Sequence, residues 1–476
     1  MKETLERELK LQAPPGFRLP ELPGTAIEPR RFTSTYFDTP DLLLASQSIT
    51  LRRRVENRRG LWQLKIPKAA ARLELEEPGG PQRPPASMMR LLVAALRGGE
   101  LFPVAKIRTL RTGVVVRDEA RGDLAEVVYD SAQVMQGARI VNRFSEIEIE
   151  LLRGDEADLK QLAATLKEAG AWVGDQTPKA FRALNLSPPK EGTDKRPDSD
   201  IARLQSAIGE QFKLIVAHDP GTRLGSDPED LHQHRVGIRR LRSLLWSANG
   251  LLDPEWTDSL RKELEWIGDR MNPVRDLDVM IPYLRADLEQ LRADEVAELE
   301  PFLKLLETER ESARAAMLAA LDDARYLALL HVLEEATRTI KVQAQEATLR
   351  DGAVKAFRRM RKAANAMGEP LEDGAMHEVR RFAKKSRYSA EVVKGGKAIG
   401  KFLSRIKELQ DVLGDHQDAA VAEQRIRDHL PMLEGSKAAF ALGRMAERQA
   451  FKKLACRKDF PAAWRAVERA GRKAWL

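Results

Sequence analysis

Glu6-Arg7-Glu8-Leu9-Lys10, near the start of a 476-residue chain, is the stretch on which the fold turns. In an extended strand successive side chains point to opposite faces. Glu6, Glu8 and Lys10 therefore share one face, while Leu5, Leu9 and Leu11 take the other, the face expected to be buried. Two carboxylates so close on one face repel each other unless a cation sits between them, and such oxygen pairs suit Mg²⁺ or Mn²⁺. Taken alone, the pentapeptide reads as an ordinary amphipathic edge strand with a solvated charged face. Later strands change that reading because they repeat the pattern.

Working outward, Arg31 to Asp38 is extended and ends in the turn Thr39-Pro40-Asp41. Ile49 to Val55 and Leu61 to Ile66 follow as a pair, with Arg52 and Arg54 on one face of the first and Lys65 opposite Trp62, Leu64 and Ile66 in the second. Glu74 and Glu76 stand opposite two leucines, and a helical stretch from Ser87 to Arg97 interrupts the series. Strands resume at Ala105–Arg108, Gly113–Arg117 and Leu124–Tyr129, where Glu126, Val128 and Asp130 share a face. In Ser145–Leu151 three glutamates alternate with three aliphatic residues. One sheet reconciles these faces if it curls, lining a lumen with charge and packing hydrocarbon outward. Carboxylates there would hold metal. Arginines would hold a multiply charged anion, since the guanidinium fork donates two parallel hydrogen bonds to phosphate oxygens.

The ordered set of pieces resembles the CYTH family, the triphosphate tunnel metalloenzymes. The pieces are Glu6-x-Glu8-x-Lys10, Tyr36-Phe37-Asp38-Thr39-Pro40, Leu51-Arg52-x-Arg54, Trp62-x-Leu64-Lys65, Lys106-x-Arg108-x-x-Arg111, Glu126 with Asp130, the Glu146/Glu148/Glu150 strand, and Lys179 with Arg182. The resemblance covers residues 1–187 and implies an eight-stranded antiparallel β-barrel tunnel that hydrolyses a triphosphate group with Mg²⁺ or Mn²⁺. It implies Glu6, Glu8, Glu146, Glu148 and Asp130 as metal ligands. Lys10, Arg52, Arg54, Lys65, Lys106, Arg108, Lys179 and Arg182 would bind the triphosphate, with Lys10, Arg52, Arg54, Lys65 and Arg108 acting in catalysis. Pro178 departs from the small polar residue expected before Lys179, and Tyr36 is expected to serve packing.

Composition bounds the rest. The chain is too long for one ordinary core. With 32% charged and 43% hydrophobic residues it is globular and soluble in character. The start, Met1 to Glu6, lacks a signal peptide's apolar run, and no apolar run is long enough to span a bilayer, so a cytoplasmic protein is expected. The single cysteine, Cys456, excludes an intrachain disulfide and a cysteine-rich metal site. The net charge of +8 points weakly to polyanions. Residues 1–190 hold 30 basic and 25 acidic side chains, and the remainder holds 50 and 47, so an anion site must come from local clustering.

Residues 188–200 read as a polar, Pro-rich linker, and from 201 the period becomes helical. Two segments resemble each other, about 201–340 and 350–470. His232, Arg235, Arg239 and Arg242 repeat as His377, Arg380, Lys384 and Arg387, each set on one helix face, and Met271–Asp276 aligns with Leu413–Asp418. Two tandem four-helix bundles are the simplest reading. Aligned cations need compensation from acidic neighbours, Asp276 and Asp418 among them, from solvent, or from a polyanion. The duplicated basic helix resembles the CHAD family, helical domains named for histidines and associated with inorganic polyphosphate. That resemblance implies a polyphosphate-binding surface of those eight residues.

The combined expectation is an α+β multidomain protein, cytoplasmic and associated with polyphosphate granules. It would hydrolyse inorganic triphosphate and bind polyphosphate. Two alternatives stay open: a nucleotide triphosphatase or adenylate cyclase, and a polyphosphate-binding protein with an inactive tunnel. Nucleic-acid binding ranks last, because no aromatic residues interleave the basic clusters for base stacking.

Overall fold

The alternation that starts at Glu6 builds one antiparallel sheet. The computed structural model describes residues 1–14, 16–68, 71–174, 177–186, 199–343, 347–432 and 435–476, and the chain divides into two units, 1–193 and 194–476. The first holds β1 (Lys2–Glu6), β2 (Glu8–Gln12), β3 (Gly24–Asp38), β4 (Thr50–Glu56), β5 (Arg59–Lys68), β6 (Ala71–Pro78), β7 (Phe102–Asp118), β8 (Gly122–Gln136), β9 (Arg139–Leu151) and β10 (Trp172–Val173). Their order is β1-β6-β5-β4-β3-β7-β8-β9-β2-β10.

This corrects the expectation of a closed eight-stranded barrel. Among the described residues the ladder has ten strands and is not closed as a barrel. The first strand breaks at Arg7, because one segment serves two partners: β1 pairs with β6, and β2 pairs with β9. One end strand of the sheet, β1, and the strand next to its other end, β2, are therefore joined through the chain at Arg7, whose carbonyl accepts the Leu151 N–H at 3.0 Å. The short β10 adds to β2. Leu11 is fully buried as expected, but Leu5, on the end strand β1, is half exposed.

Hydrocarbon on the outer face packs against helices. Leu11, Val127, Ile147 and Ile149 form a cluster with Leu162, Ala163 and Leu166 of α3 (Glu156–Glu168), a helix started by an Asp155/Asp158 capping box. The shorter α1 (Ala86–Leu91) and α2 (Val93–Leu96) precede it. On the inner face Tyr36, Ala105, Ile107 and Ala132 pack with Ala180 and Phe181 of α4 (Lys179–Ala183), which fixes that helix against the sheet. Buried Asp38 accepts backbone N–H groups from Thr39, Leu44 and Ala45 at 2.7–2.9 Å, so it anchors the loop after β3.

The expected linker, 188–200, lies outside the described residues except for Ser199 and Asp200, where the helical unit begins. Its helices are α5 (Asp200–Leu224), α6 (Pro228–Ser247), α7 (Pro254–Leu288), α8 (Ala293–Leu321), α9 (Ala324–Arg338), α10 (Leu349–Asn365), α11 (Asp373–Glu391), α12 (Lys397–His429) and α13 (Ser436–Trp475). The repeated segments place α6 opposite α11 and α7 opposite α12 in the duplication. The two halves are not separate bundles: Leu277 and Leu284 of α7, Leu303 of α8, Ile426 of α12 and Leu442 of α13 share one core. Helices α6 and α11 also touch across the halves. No helix of the described residues is long and apolar enough to cross a membrane.

Candidate functional site

The inner face of the sheet encloses a cavity of about 330 Å³ with an almost wholly polar wall. Register puts opposite charges side by side there. Lys10 lies across from Glu148, Lys65 from Glu74, and Asp130 from both Arg111 and Glu146. The side chains follow the register. Lys65 Nζ donates to both oxygens of Glu6 at 2.6 and 2.7 Å, and Lys10 Nζ lies 2.9 Å from Glu8 and 3.8 Å from Glu148. Arg111 forks onto Asp130 at 2.6 and 2.7 Å and donates to Glu148 at 2.6 Å.

Across the cavity, Arg52 donates to Gln63 Oε1 at 2.8 Å and to the Tyr36 hydroxyl at 3.1 Å. Tyr36 is thus buried packing and also an orienting group for Arg52. Arg54 pairs with Glu56 and lies 3.8 Å over the Phe32 ring. No carboxylate bonds Arg52 directly among the described residues, and with Nε on Gln63 and Nη1 on Tyr36 its Nη2 edge is left for an anion.

The cavity's densest point is Lys179, whose Nζ lies 2.8 Å from Asp130, 2.5 Å from Glu146 and 2.8 Å from Glu148. Arg182 adds a hydrogen bond to Glu146 at 3.1 Å. Burial alone would push these carboxylates up. Lys179, Arg111, Lys10 and Lys65 together instead hold Glu148 well below the usual carboxylate range. At Glu150 the opposing pull of Lys65 is outweighed. Burial, with Glu6 and Glu74 nearby, pushes it up to about 7.

In the helical unit the structure brings Arg235 and Arg239 of α6 together with Arg380 and Lys384 of α11, and sets Arg275 of α7 beside them. Asp276 and Asp418 supply partial compensation, with Arg235 3.7 Å from Asp276. His232 joins this seam, its pKa lowered by burial and by Arg275. Three of the eight expected residues pair elsewhere: Arg242 with Glu265, Arg387 with Glu391 and Gln410, and His377 with Gln417. His234 is a core residue. Fully buried beside Thr222 and Tyr326, it is pushed by burial down to about 3 and stays neutral; its counterpart in the second half is buried Val379.

Residues 4–180 match the CYTH domain family and residues 206–427 the CHAD domain family. The chain belongs to both families. An uncharacterised protein of Mycobacterium tuberculosis (strain H37Rv) is 30% identical over 94% of this chain and 91% of its own length. Among solved structures, the CHAD domain from the plant Ricinus communis covers 59% of this chain and 95% of its own, at 22% identity and a TM-score of 0.46. A putative adenylyl cyclase from Hippeastrum, described as having a dominant triphosphatase activity, covers 39% of this chain and 99% of its own, at 20% identity and a TM-score of 0.26.

Within the CYTH domain one part of the expected phosphate set is corrected. Lys106 and Arg108 are exposed and alternate with buried Ala105, Ile107 and Thr109, so they face away from the cavity. Arg111 takes the inward place instead. Its parity matches Ile107 and Thr109, but only if β7 is one strand; read as two short strands, the parity could not be carried through. Gln63, which orients Arg52 and bonds Glu76 at 2.6 Å, was also missed. Its signal was its place one step before the Leu64-Lys65 pair.

Oxygens of Asp130, Glu146 and Glu148 lie within 4.8 Å of one another, and all are hard donors, so this set fits a divalent cation. The Lys179 ammonium already stands among the same three carboxylates. Glu6 and Glu8, by contrast, each hold a lysine of the cavity wall.

Proposed function

We propose that the CYTH domain hydrolyses inorganic triphosphate to pyrophosphate and phosphate with Mg²⁺ or Mn²⁺, and that the CHAD domain binds inorganic polyphosphate. The observation that carries the reading is one cavity of about 330 Å³ whose wall carries the basic side chains Lys10, Arg52, Arg54, Lys65 and Arg111 together with Glu148, the lining member of a hard-oxygen cluster whose other members, Asp130 and Glu146, are buried behind it. Among the described residues Tyr36 is the one aromatic side chain of that wall, and its hydroxyl is engaged by Arg52. The described wall offers no further aromatic side chain for base stacking, which favours an inorganic chain over a nucleotide.

Arg52, Arg54, Lys10 and Lys65 would grip the phosphate oxygens, with Lys179 and Arg182 at the α4 end. These groups stabilise the charge that develops as the terminal phosphoryl group passes to water and pyrophosphate leaves. Glu6, Glu8, Glu146, Glu148 and Asp130 would hold the metal, which supplies charge neutralisation on the phosphate chain and activation of the attacking water. The polyphosphate surface comprises His232, Arg235, Arg239, Arg380 and Lys384, and it would keep the enzyme on cytoplasmic polyphosphate granules.

The test is phosphate release from tripolyphosphate, ATP and long-chain polyphosphate with Mg²⁺ or Mn²⁺, run beside a Glu6→Ala/Glu8→Ala variant. Metal-dependent release from tripolyphosphate that vanishes in the variant is expected. ATP as the better substrate would install the nucleotide reading. No turnover, with polyphosphate still retained on a filter, would leave a binding protein.

A further inference from the structure

The seam between α6 and α11 holds more cations than the acidic groups beside them neutralise. Arg235 and Arg239 come from α6, Arg380 and Lys384 from α11, and Arg275 from α7. Facing them are Asp276 of α7, largely exposed, and Asp418 of α12, beside Asp415 on the same helix. From the remaining sides come His232 of α6 and the Tyr388 ring, over which Arg239 lies at 5.9 Å. Helix α10 also packs on α11, where its Arg359 acts on Lys385. The Nε atoms of Arg239 and Arg380 are buried without a hydrogen-bond partner. Unsatisfied guanidinium donors within a cluster of like charge are a standing demand for an anion.

Of these cations only Lys384 can relieve the repulsion by giving up its charge, because arginine keeps its proton in any ordinary solution. Burial, and then Arg239, Arg380 and Arg235, push the Lys384 ammonium down to about 7, with Asp418 opposing. An anionic chain laid along the seam reverses the local field and removes the reason for that loss.

We propose that the seam takes up a proton from solvent when it captures a phosphate chain, and that Lys384 receives it. This rests on the phosphate-binding reading of the CHAD domain and adds its regulation. Capture is tighter on the acid side of neutrality, and the chain is released as pH rises.

The experiment is calorimetric titration of the full chain with medium-chain inorganic polyphosphate, with divalent ions absent so that the tunnel does not turn over. It is run in two buffers of unlike ionisation enthalpy. With a free-state pKa of about 7, about half a proton enters per site at that pH and nearly one at about a unit higher. Affinity accordingly falls toward tenfold per pH unit above about 7. Lys384→Arg, which keeps the charge permanently, abolishes the buffer-dependent heat and preserves affinity at high pH. Lys384→Met abolishes the heat and weakens binding on the acid side. Binding with the same heat in both buffers, or unchanged proton uptake in Lys384→Arg, overturns the proposal while leaving the polyphosphate reading intact. No binding at all overturns both.

Discussion

The tunnel cavity and the helical seam both crowd like charges, and they resolve the repulsion in opposite ways. In the cavity most cations lie against carboxylates, Arg52 being held by Gln63 and Tyr36 instead: Lys65 on Glu6, Lys10 on Glu8, Arg111 on Asp130 and Glu148, Lys179 on three acids at once. The seam has no such interleaving, and Arg235, Arg239, Arg380 and Lys384 face each other with two aspartates between them. Backbone geometry explains the contrast. Neighbouring strands lie about 5 Å apart, so a sheet can place acid beside base on every inward row. Two helices meeting along equivalent faces of a duplicated sequence bring the same charge to both sides. A charge-balanced cavity must exchange partners to admit a ligand, whereas an unbalanced seam attracts one outright.

The largest effect that would test this contrast is on stability. Lys179→Met leaves Asp130, Glu146 and Glu148 without their shared cation, and breaking a buried pair from one side costs about 3–5 kcal/mol. Denaturant unfolding followed by tryptophan fluorescence in a variant that keeps Trp62 as the tryptophan of the sheet and replaces the others by Phe should report that loss. An unchanged midpoint would mean that the three acids do not depend on Lys179. Next comes a difference within one sheet. Arg52→Ala should lower tripolyphosphate turnover by about a hundredfold, as loss of a preorganised charge contact does, while Arg108→Ala on the outer face leaves it unaltered. Equal losses in both would place Arg108 in the chemistry after all. The smallest effect carries the opposite sign. Arg239→Met in the anion-free seam should stabilise the helical unit by roughly 0.5 kcal/mol, because it removes repulsion without breaking an ion pair. The gain should be larger below pH 7, where Lys384 is charged as well, than above it. Destabilisation at both pH values would show that the seam is compensated.

Much of the strand-rich half was legible because a period of two is local. Glu6, Glu8 and Lys10, Arg52 and Arg54, and Glu146, Glu148 and Glu150 all fall on inner faces that alternation predicts. The failures mark where local reasoning ends. Lys106 and Arg108 alternate with apolar residues like the true lining residues do, yet β7 presents its other face, a choice made by its pairing with β3 and β8. In the helices, spacing found the basic faces but not that only the middle of each meets the other, leaving Arg242, Arg387 and His377 to pair elsewhere.

The sequence by itself determined the two classes of secondary structure, the alternation that puts charge on one side of each strand, and the duplicated basic helix. These follow from side-chain period and residue chemistry, which need no knowledge of distant contacts. Only the tertiary structure decided which face of β7 looks inward, that the first strand breaks at Arg7 to pair with both β6 and β9, that Lys179 lands among three carboxylates, and that Lys384 sits among arginines. Each of these depends on elements far apart in the chain coming within a few ångströms of each other. The strength of a charge interaction is set by that separation and by the burial that accompanies it.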